Sequence, residues 1–402
     1  MPITEDPTRP RGERAAPESP AGRSYPPRLD MLTPLRFVAA ATIVCAHAIE
    51  WFGYPPDPWL GHAAGASLSF FFVLSGFVLA YNYPALDSTR GIRAFLALRF
   101  ARLWPLHAFV FAALLATLPW VSWTSSGIHA GIAAIANVTL VQAWIPVVGY
   151  LTAFNGPAWT LSVDAFLYGV FPALLVRLRE SPMRALLGAW WVSACGPMLV
   201  SAVGGSNAGI PNDAWNWHLF NHYFPPSRLG EFALGIVAAQ QRSRIADRLP
   251  RGTTGATIIE LAALAMLVAA AVCIHRVPSL AIGLGTGVAD WLGAVSAAPV
   301  FAVAIAVFAA NRGGVTRLLA HRACVHLGDL SYATYLLHAP LLTLFGILVG
   351  GSAGSGAVGA FSFAAVLLAA AELAWRLVEV PARRAIVGLA AARLGPQSAD
   401  RR

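Results

Sequence analysis

Apolar residues recur along the chain in blocks of about twenty, the length a helix needs to cross a bilayer. The blocks fall at roughly 34–53, 65–82, 104–122, 128–146, 157–177, 185–203, 228–241, 256–275, 285–310, 326–349 and 355–378. The short stretches between them hold most of the arginines. This pattern predicts an all-α fold, a polytopic transmembrane helical bundle. The block at 228–241 is short for a span, and the one at 285–310 is long enough for its start to lie at the interface. Before the first block, residues 1–28 carry seven prolines among arginines and glutamates with little to bury, so a disordered cytoplasmic tail is expected there. Residues 29–384 form the membrane domain, and 385–402 a cytoplasmic C-terminal tail. No apolar core of a signal peptide follows Met1.

Composition strengthens the membrane reading. Of 402 residues, 57% are hydrophobic and only 12% charged, outside the usual soluble range. The net charge is +9, and all 28 basic residues are arginine. The absence of lysine excludes Schiff-base and Walker-lysine chemistry. Because the arginines punctuate apolar blocks instead of forming one basic face, they read as positive-inside flanks and not as a nucleic-acid surface. The four cysteines, Cys45, Cys195, Cys273 and Cys324, lie far apart in or beside apolar blocks. They suggest neither a disulfide framework nor a metal cluster.

The arginines also test the number of crossings. If the tail is inside, the first two blocks return Arg90, Arg93, Arg99 and Arg102 to the cytoplasm. Full crossing by all of the third, fourth and fifth blocks would put Arg177, Arg179 and Arg184 outside and invert every later cluster. One of the third and fourth blocks must therefore fail to cross. The fourth is the choice, because His129, Asn137, Gln142 and Trp144 weaken it as a span. Ten full spans plus one re-entrant or interfacial segment result, with both termini cytoplasmic in an inner (plasma) membrane. The polar stretch from Asn207 to Pro226, the loop holding Asp57 and the turn around Gly350 face outward.

Several polar residues then sit where lipid makes them costly. Arg36 and His47 are eleven positions apart, which returns to within about 20° of one helix face and separates them by about 16 Å along the axis. Arg36 either snorkels to headgroups or binds an anion, and His47 is an intramembrane imidazole. Arg99 and Arg102, three apart, can act together on a phosphate or carboxylate, or simply flank a span. Asp164 lies in an apolar helix near Trp159, Ser162 and Tyr168, and must be paired or hydrogen-bonded. Its uses are orienting a histidine, accepting a proton or pairing with an arginine. Arg228 and Glu231 are spaced for a local ion pair. Ser331, Tyr335 and His338 follow an i, i+4, i+7 stripe that makes one helix face polar. Glu372 and Glu379 are expected to pair with Arg376 or Arg383. No dinucleotide fingerprint, Walker sequence, nucleophile elbow or closely spaced His/Asp trio is present, so no metal is predicted.

The stretches LTPLRFVAAATIVCAH, FFVLSGFVLA, RFARLWPLH, GPAWTLSVDAFLYGVFP, PSRLGEFALG, LGDLSYATYLLH and VEVPARR, in this order, resemble the integral-membrane acyltransferase 3 family from about Leu29 to Arg384. The resemblance implies ten transmembrane helices and transfer of an acyl group, usually acetyl from acetyl-CoA, to a hydroxyl. The acceptor would be a carbohydrate, glycolipid or glycosylated metabolite. The family's first-helix arginine and histidine fall on Arg36 and His47, its paired arginines on Arg99 and Arg102. Its acidic position falls on Asp164, where glutamate is more usual. The chain ends eighteen residues after Arg384, so the additional periplasmic domain of some members is not expected.

On this reading His47 is the general base, Arg99 and Arg102 hold the phosphates of the acyl-CoA donor, and Arg36 contacts the donor or the developing oxyanion. Tyr335, His338, Trp159 and Asp164 are candidates for acceptor binding or histidine orientation. The competing class is a transporter or flippase for a polar glycan or metabolite, which would move substrate without consuming a thioester. A structural scaffold, the third class, would tolerate loss of both histidines and the paired arginines.

Overall fold

The structure is a computed structural model and describes residues 28–117, 119, 124, 127–204, 213–349 and 356–394. The expected tail at 1–28 lies outside it except for Arg28, as do the turn at Gly350 and part of the 207–226 stretch. Among the described residues the fold is all helical. Nine helices among the described residues are long and apolar enough to cross a membrane.

A turn at Asp30–Leu32 leads into α1 (Thr33–Ala48), followed by α2 (Pro58–Asn82) and α3 (Thr89–Thr117). Asp57 caps α2, accepting the Trp59 amide at 2.8 Å. The third apolar block begins at 104, yet its helix begins at Thr89 and accommodates Pro105. Arg99 and Arg102 thus lie within α3 and not at its start, because a hydropathy threshold truncates a helix at its arginines.

The region of the fourth block contains only α4 (Ala130–Val138), a 3-10 turn at Gln142–Trp144 and α5 (Val148–Leu151). Nine residues of helix rise about 14 Å, short of the roughly 30 Å hydrocarbon core. Its polar residues turn inward. The Asn137 side chain donates to the Ala153 carbonyl at 3.1 Å and that of Gln142 to the Ala158 carbonyl at 2.9 Å, stitching this broken segment to the start of the next helix. His107 on α3 bonds the Asn137 carbonyl at 2.9 Å.

α6 (Trp159–Glu180) and α7 (Pro182–Ala202) follow, then a short α8 (Trp217–His222) and α9 (Leu229–Arg248). α9 is not among the nine apolar spans, since its second half holds Gln240, Gln241, Arg242, Arg244, Asp247 and Arg248. Its first half is nevertheless central: Phe232, Ala233 and Ile236 are fully buried. α9 packs along α2 through two reciprocal glycines. A Cβ on Gly76 would overlap the Phe232 carbonyl, and one on Gly235 would overlap the Val73 carbonyl. Small residues permit such backbone approach between membrane helices. Arg228 pairs with Glu231 at 3.4 Å, both buried, as their spacing predicts.

The remaining chain forms α10 (Thr253–Cys273), α11 (Val277–Ala281), α12 (Thr286–Val295), α13 (Ala298–Ala309), α14 (Gly314–Leu319), α15 (Arg322–Val349), α16 (Gly356–Ala374) and α17 (Val380–Leu394). The ninth block is thus two helices, α12 and α13. Glu260 on α10 accepts the backbone amides of Gly313, Val315 and Thr316 and the Thr316 hydroxyl. It neutralises the N-terminus of α14 as a buried carboxylate should. α15 lies against α1, with Gly328 packed so tightly that a Cβ there would overlap the Thr33 carbonyl. Between α16 and α17, Trp375–Glu379 forms a π-helical turn. Large apolar side chains such as Leu280, Leu348 and Phe361 stay exposed on the outside of the bundle, as lipid-facing positions require.

Candidate active site

A cavity of about 140 Å³ opens among α1, α2, α3, α6 and α15. Its polar lining is Arg36 from α1, Ser75 from α2, Arg99 and Arg102 from α3, Thr160, Asp164 and Tyr168 from α6, and Ser331, Tyr332 and Tyr335 from α15. Leu68, Phe71 and Phe72 of α2 close it from the apolar side. Three guanidinium groups thus share one cavity with one carboxylate. Asp164 is near enough for Arg36, Arg102 and Arg99 to act on its charge, yet it forms no direct ion pair with them among the described residues.

The two α3 arginines do not behave alike. Arg102 pairs with Glu379, which is 3% exposed, and sits over the Tyr332 ring with its guanidinium carbon 5.3 Å from the centroid. Arg99 donates to the Tyr83 hydroxyl at 3.3 Å and lies over the Tyr83 and Phe95 rings. Its buried Nε has no hydrogen-bond partner. One anchored arginine and one with spare donor capacity, beside Arg36, make an anion-receptive wall.

Glu379 is the site residue that sequence reasoning misplaced. Glu372 does pair with Arg376, at 2.5 Å, and also with His326 at 2.9 Å. Glu379, however, pairs with Arg102 across the bundle, not with Arg376 or Arg383. The π-helical turn that ends at Glu379 alters its register relative to Arg376, and packing of this turn and α17 against α3 brings the carboxylate to Arg102. A conserved-period helix wheel through 372–384 cannot show this.

His47 lies outside the cavity lining. α1 carries Arg36 into the cavity near one end and His47 near the other, about 16 Å along the axis. There the His47 Nδ1 is 2.8 Å from the His338 Nε2. His338 is fully buried, and its Nδ1 donates to the Tyr335 carbonyl at 2.5 Å, which dictates the tautomers. A carbonyl only accepts, so His338 Nδ1 holds a proton and its Nε2 is a lone pair. His47 Nδ1 must then be the donor, which leaves the neutral ring's lone pair on Nε2 of this exposed residue.

Tyr335 joins the two regions. It lines the cavity, its hydroxyl donates to the Pro157 carbonyl at 3.0 Å and accepts from Thr160 at 3.2 Å, and its carbonyl holds His338. Asn155 adds a clamp from its side-chain amide to the Leu336 carbonyl at 2.9 Å. Trp159 is buried one turn before Asp164 and packs edge-on against Tyr223 with centroids 4.5 Å apart; it does not line the cavity. The fold thus brings together Arg36, Arg99, Arg102, Asp164 and Tyr335, joins His47 to His338, and holds Trp159 behind the wall.

A family model described as an acyltransferase domain matches residues 32–375. Over 384 residues the chain is 29% identical to "Acyltransferase MdmB" of Streptomyces mycarofaciens, covering 89% of this chain and 92% of that protein. Over 92 residues it is 39% identical to "Protein 2 in picA locus" of Rhizobium radiobacter, covering 22% of this chain and 46% of that one. No solved structure matches significantly.

Proposed function

Because the chain belongs to the acyltransferase 3 family, we propose that it is a membrane O-acyltransferase that moves an acetyl group from acetyl-CoA to a hydroxyl of a carbohydrate, glycolipid or glycosylated metabolite. That it is an acyltransferase follows from the family, whose members typically use an acyl-CoA donor; the acetyl group, the acceptor class and the residue roles are our reading. The observation that carries it is the division of α1 between an arginine-lined cavity and an oriented histidine.

The anionic part of the donor occupies the wall formed by Arg36, Arg99 and Arg102. Guanidinium groups suit phosphate oxygens, and the buried, unpartnered Arg99 Nε is the kind of group a bound anion would satisfy. The extended pantetheine arm then spans toward His47. About 16 Å of helix between Arg36 and His47 separates the roles: Arg36 holds the donor and does not touch a thioester oxygen reacting at His47. Tyr335 sits between and faces the arm.

At the far end His47 Nε2 accepts the acceptor's hydroxyl proton as that oxygen attacks the thioester carbonyl. The C–S bond breaks, the thiolate takes the proton back from the imidazolium, and the ester and free CoA leave. His338 is a positioning residue that holds the His47 tautomer, the part a carboxylate plays in a hydrolase triad. Asp164, in the same cavity as the three arginines, tempers the positive charge that receives the donor. The membrane arrangement we propose has α9 as a tenth crossing, residues 128–146 as the re-entrant or interfacial segment, and both termini cytoplasmic. It lets a cytoplasmic donor enter at the Arg36 end of α1.

Single-turnover transfer from labelled acetyl-CoA to a sugar or glycoside acceptor tests the reading. Acceptor-dependent loss of thioester that disappears in well-folded His47→Ala and Arg99→Ala proteins supports it. Substrate movement across vesicles with intact thioester would replace it with transport.

A further inference from the structure

The polar stretch before α9 holds His218 and His222, one helical turn apart on α8. The carboxylate they meet is not the neighbouring Asp213 but Asp290 on α12, 72 residues beyond His218. The fold closes that gap. His218 Nδ1 lies 2.8 Å from Asp290 Oδ2, and His222 Nε2 lies 2.9 Å from Asp290 Oδ1. The ring centroids of the two histidines are 4.2 Å apart, and one ligating atom from each of the three residues falls within 4.8 Å of the other two.

A plain hydrogen-bond network explains part of this arrangement but not all of it. His218 Nδ1 makes a regular bond to the carboxylate. His222 Nε2 is buried and close to the other oxygen, yet no hydrogen bond is properly aligned on it. The exposures, 41% for His218, 34% for Asp290 and 16% for His222, leave a path for an ion and a water. Two imidazoles and one carboxylate around an open position suit a divalent transition ion, with zinc at about 2.0–2.2 Å from each ligand.

We propose that His218, His222 and Asp290 bind one such ion, zinc for preference, as a structural cross-link between α8 and α12. The link reaches further than the two helices. The His222 carbonyl accepts Arg228 Nε at 2.8 Å, which sets the buried Arg228–Glu231 pair at the head of α9. Tyr223, the next residue, is the ring packed on Trp159 at the start of α6. An ion here would therefore brace the ends of α6, α9 and α12, and its loss would be felt as instability before any change in chemistry.

The test uses tag-free, detergent-purified full-length protein, stripped with chelator and titrated with Zn²⁺. Near one equivalent is expected to bind, with thermal unfolding moved upward and a tetrahedral visible spectrum when Co²⁺ is used. His222→Ala and Asp290→Asn should lose both the stoichiometric ion and the thermal shift. A His62→Ala/His275→Ala protein, altered at a separate pair of neighbouring rings, should keep both. Stripped wild-type protein that takes up no stoichiometric metal overturns the proposal, and so does equal uptake by the His222 and Asp290 variants. If those variants fail to fold, His218→Asn, at the most exposed ligand, supplies the same comparison.

Discussion

The Nδ1 of His47 and the Nε2 of His338, residues 291 positions apart in the chain, meet at 2.8 Å where α1 and α15 lie together. With His338 anchored on the Tyr335 carbonyl, the contact makes His47 a donor at Nδ1 and leaves a lone pair at Nε2. Replacing His47 by Ala should lower kcat by about 10²–10⁴-fold, the usual range for a general base. His338→Ala should lower kcat by a smaller factor with little change in donor KM. His338→Gln should recover part of that loss, because its amide oxygen can accept from His47 Nδ1. Steady-state kinetics of the three proteins check this; equal defects in His338→Ala and His338→Gln would assign His338 to packing instead.

Arg99 and Arg102 stand three apart on one helix but are separated in role by their partners. Arg99→Ala should raise the KM for acetyl-CoA about tenfold or more and leave thermal stability within about 0.5 kcal/mol, as it removes spare donors and one bond to a phenol. Glu379→Gln breaks a pair whose acid is buried. It should destabilise the protein toward the lower end of the roughly 3–5 kcal/mol seen for broken buried pairs, since Arg102 is 24% exposed. Donor KM values set beside unfolding temperatures in detergent separate the two effects.

What sequence reading reaches here follows from the range of the forces involved. Local apolar runs mark the spanning helices, because lipid tests each segment separately; α9 and α3 show the limit. α9 is buried against α2 by glycine contacts that hydropathy does not weigh, and α3 extends 15 residues before its expected start at 104 because arginines interrupt its apolar average. Arg36, Arg99, Arg102, Asp164 and Tyr335 were legible as costly polar groups in lipid, and the fold does line one cavity with them. Their partners were not. The Arg102–Glu379 contact depends on how the last helices pack against α3, the His47–His338 contact on how α1 docks on α15, and the His218–His222–Asp290 group on packing of α8 against α12. Each is a long-range consequence of packing that no spacing rule encodes.

Asp164 is the cavity's carboxylate, facing three arginines without a direct ion pair. If the arginines receive the donor's phosphates, this carboxylate opposes donor binding. A unit charge at roughly 10 Å and an effective dielectric of about 20 is worth about 1.7 kcal/mol. Asp164→Asn should therefore lower donor KM by up to about 17-fold. Asp164→Glu should keep the wild-type pattern. Bisubstrate kinetics decide it: a rise in donor KM for Asp164→Asn would mean that the carboxylate holds the arginines in place.

The α2–α9 contact predicts a difference between two identical substitutions on one helix. At Gly65 of α2 an added methyl meets nothing within 4 Å, whereas at Gly76 it would overlap the Phe232 carbonyl of α9. Gly65→Ala should leave stability unchanged or raise it by up to about 1 kcal/mol, from helix propensity alone. Gly76→Ala must push α9 away from α2, separating buried residues on both helices, and should cost at least the roughly 1–3 kcal/mol of an overpacked core. Because α2 carries Ser75 and the apolar wall of the cavity, this displacement should also raise donor KM. Thermal unfolding and donor KM measured on both purified variants provide the comparison, and equal behaviour of the two would show that the close helix approach contributes nothing to stability.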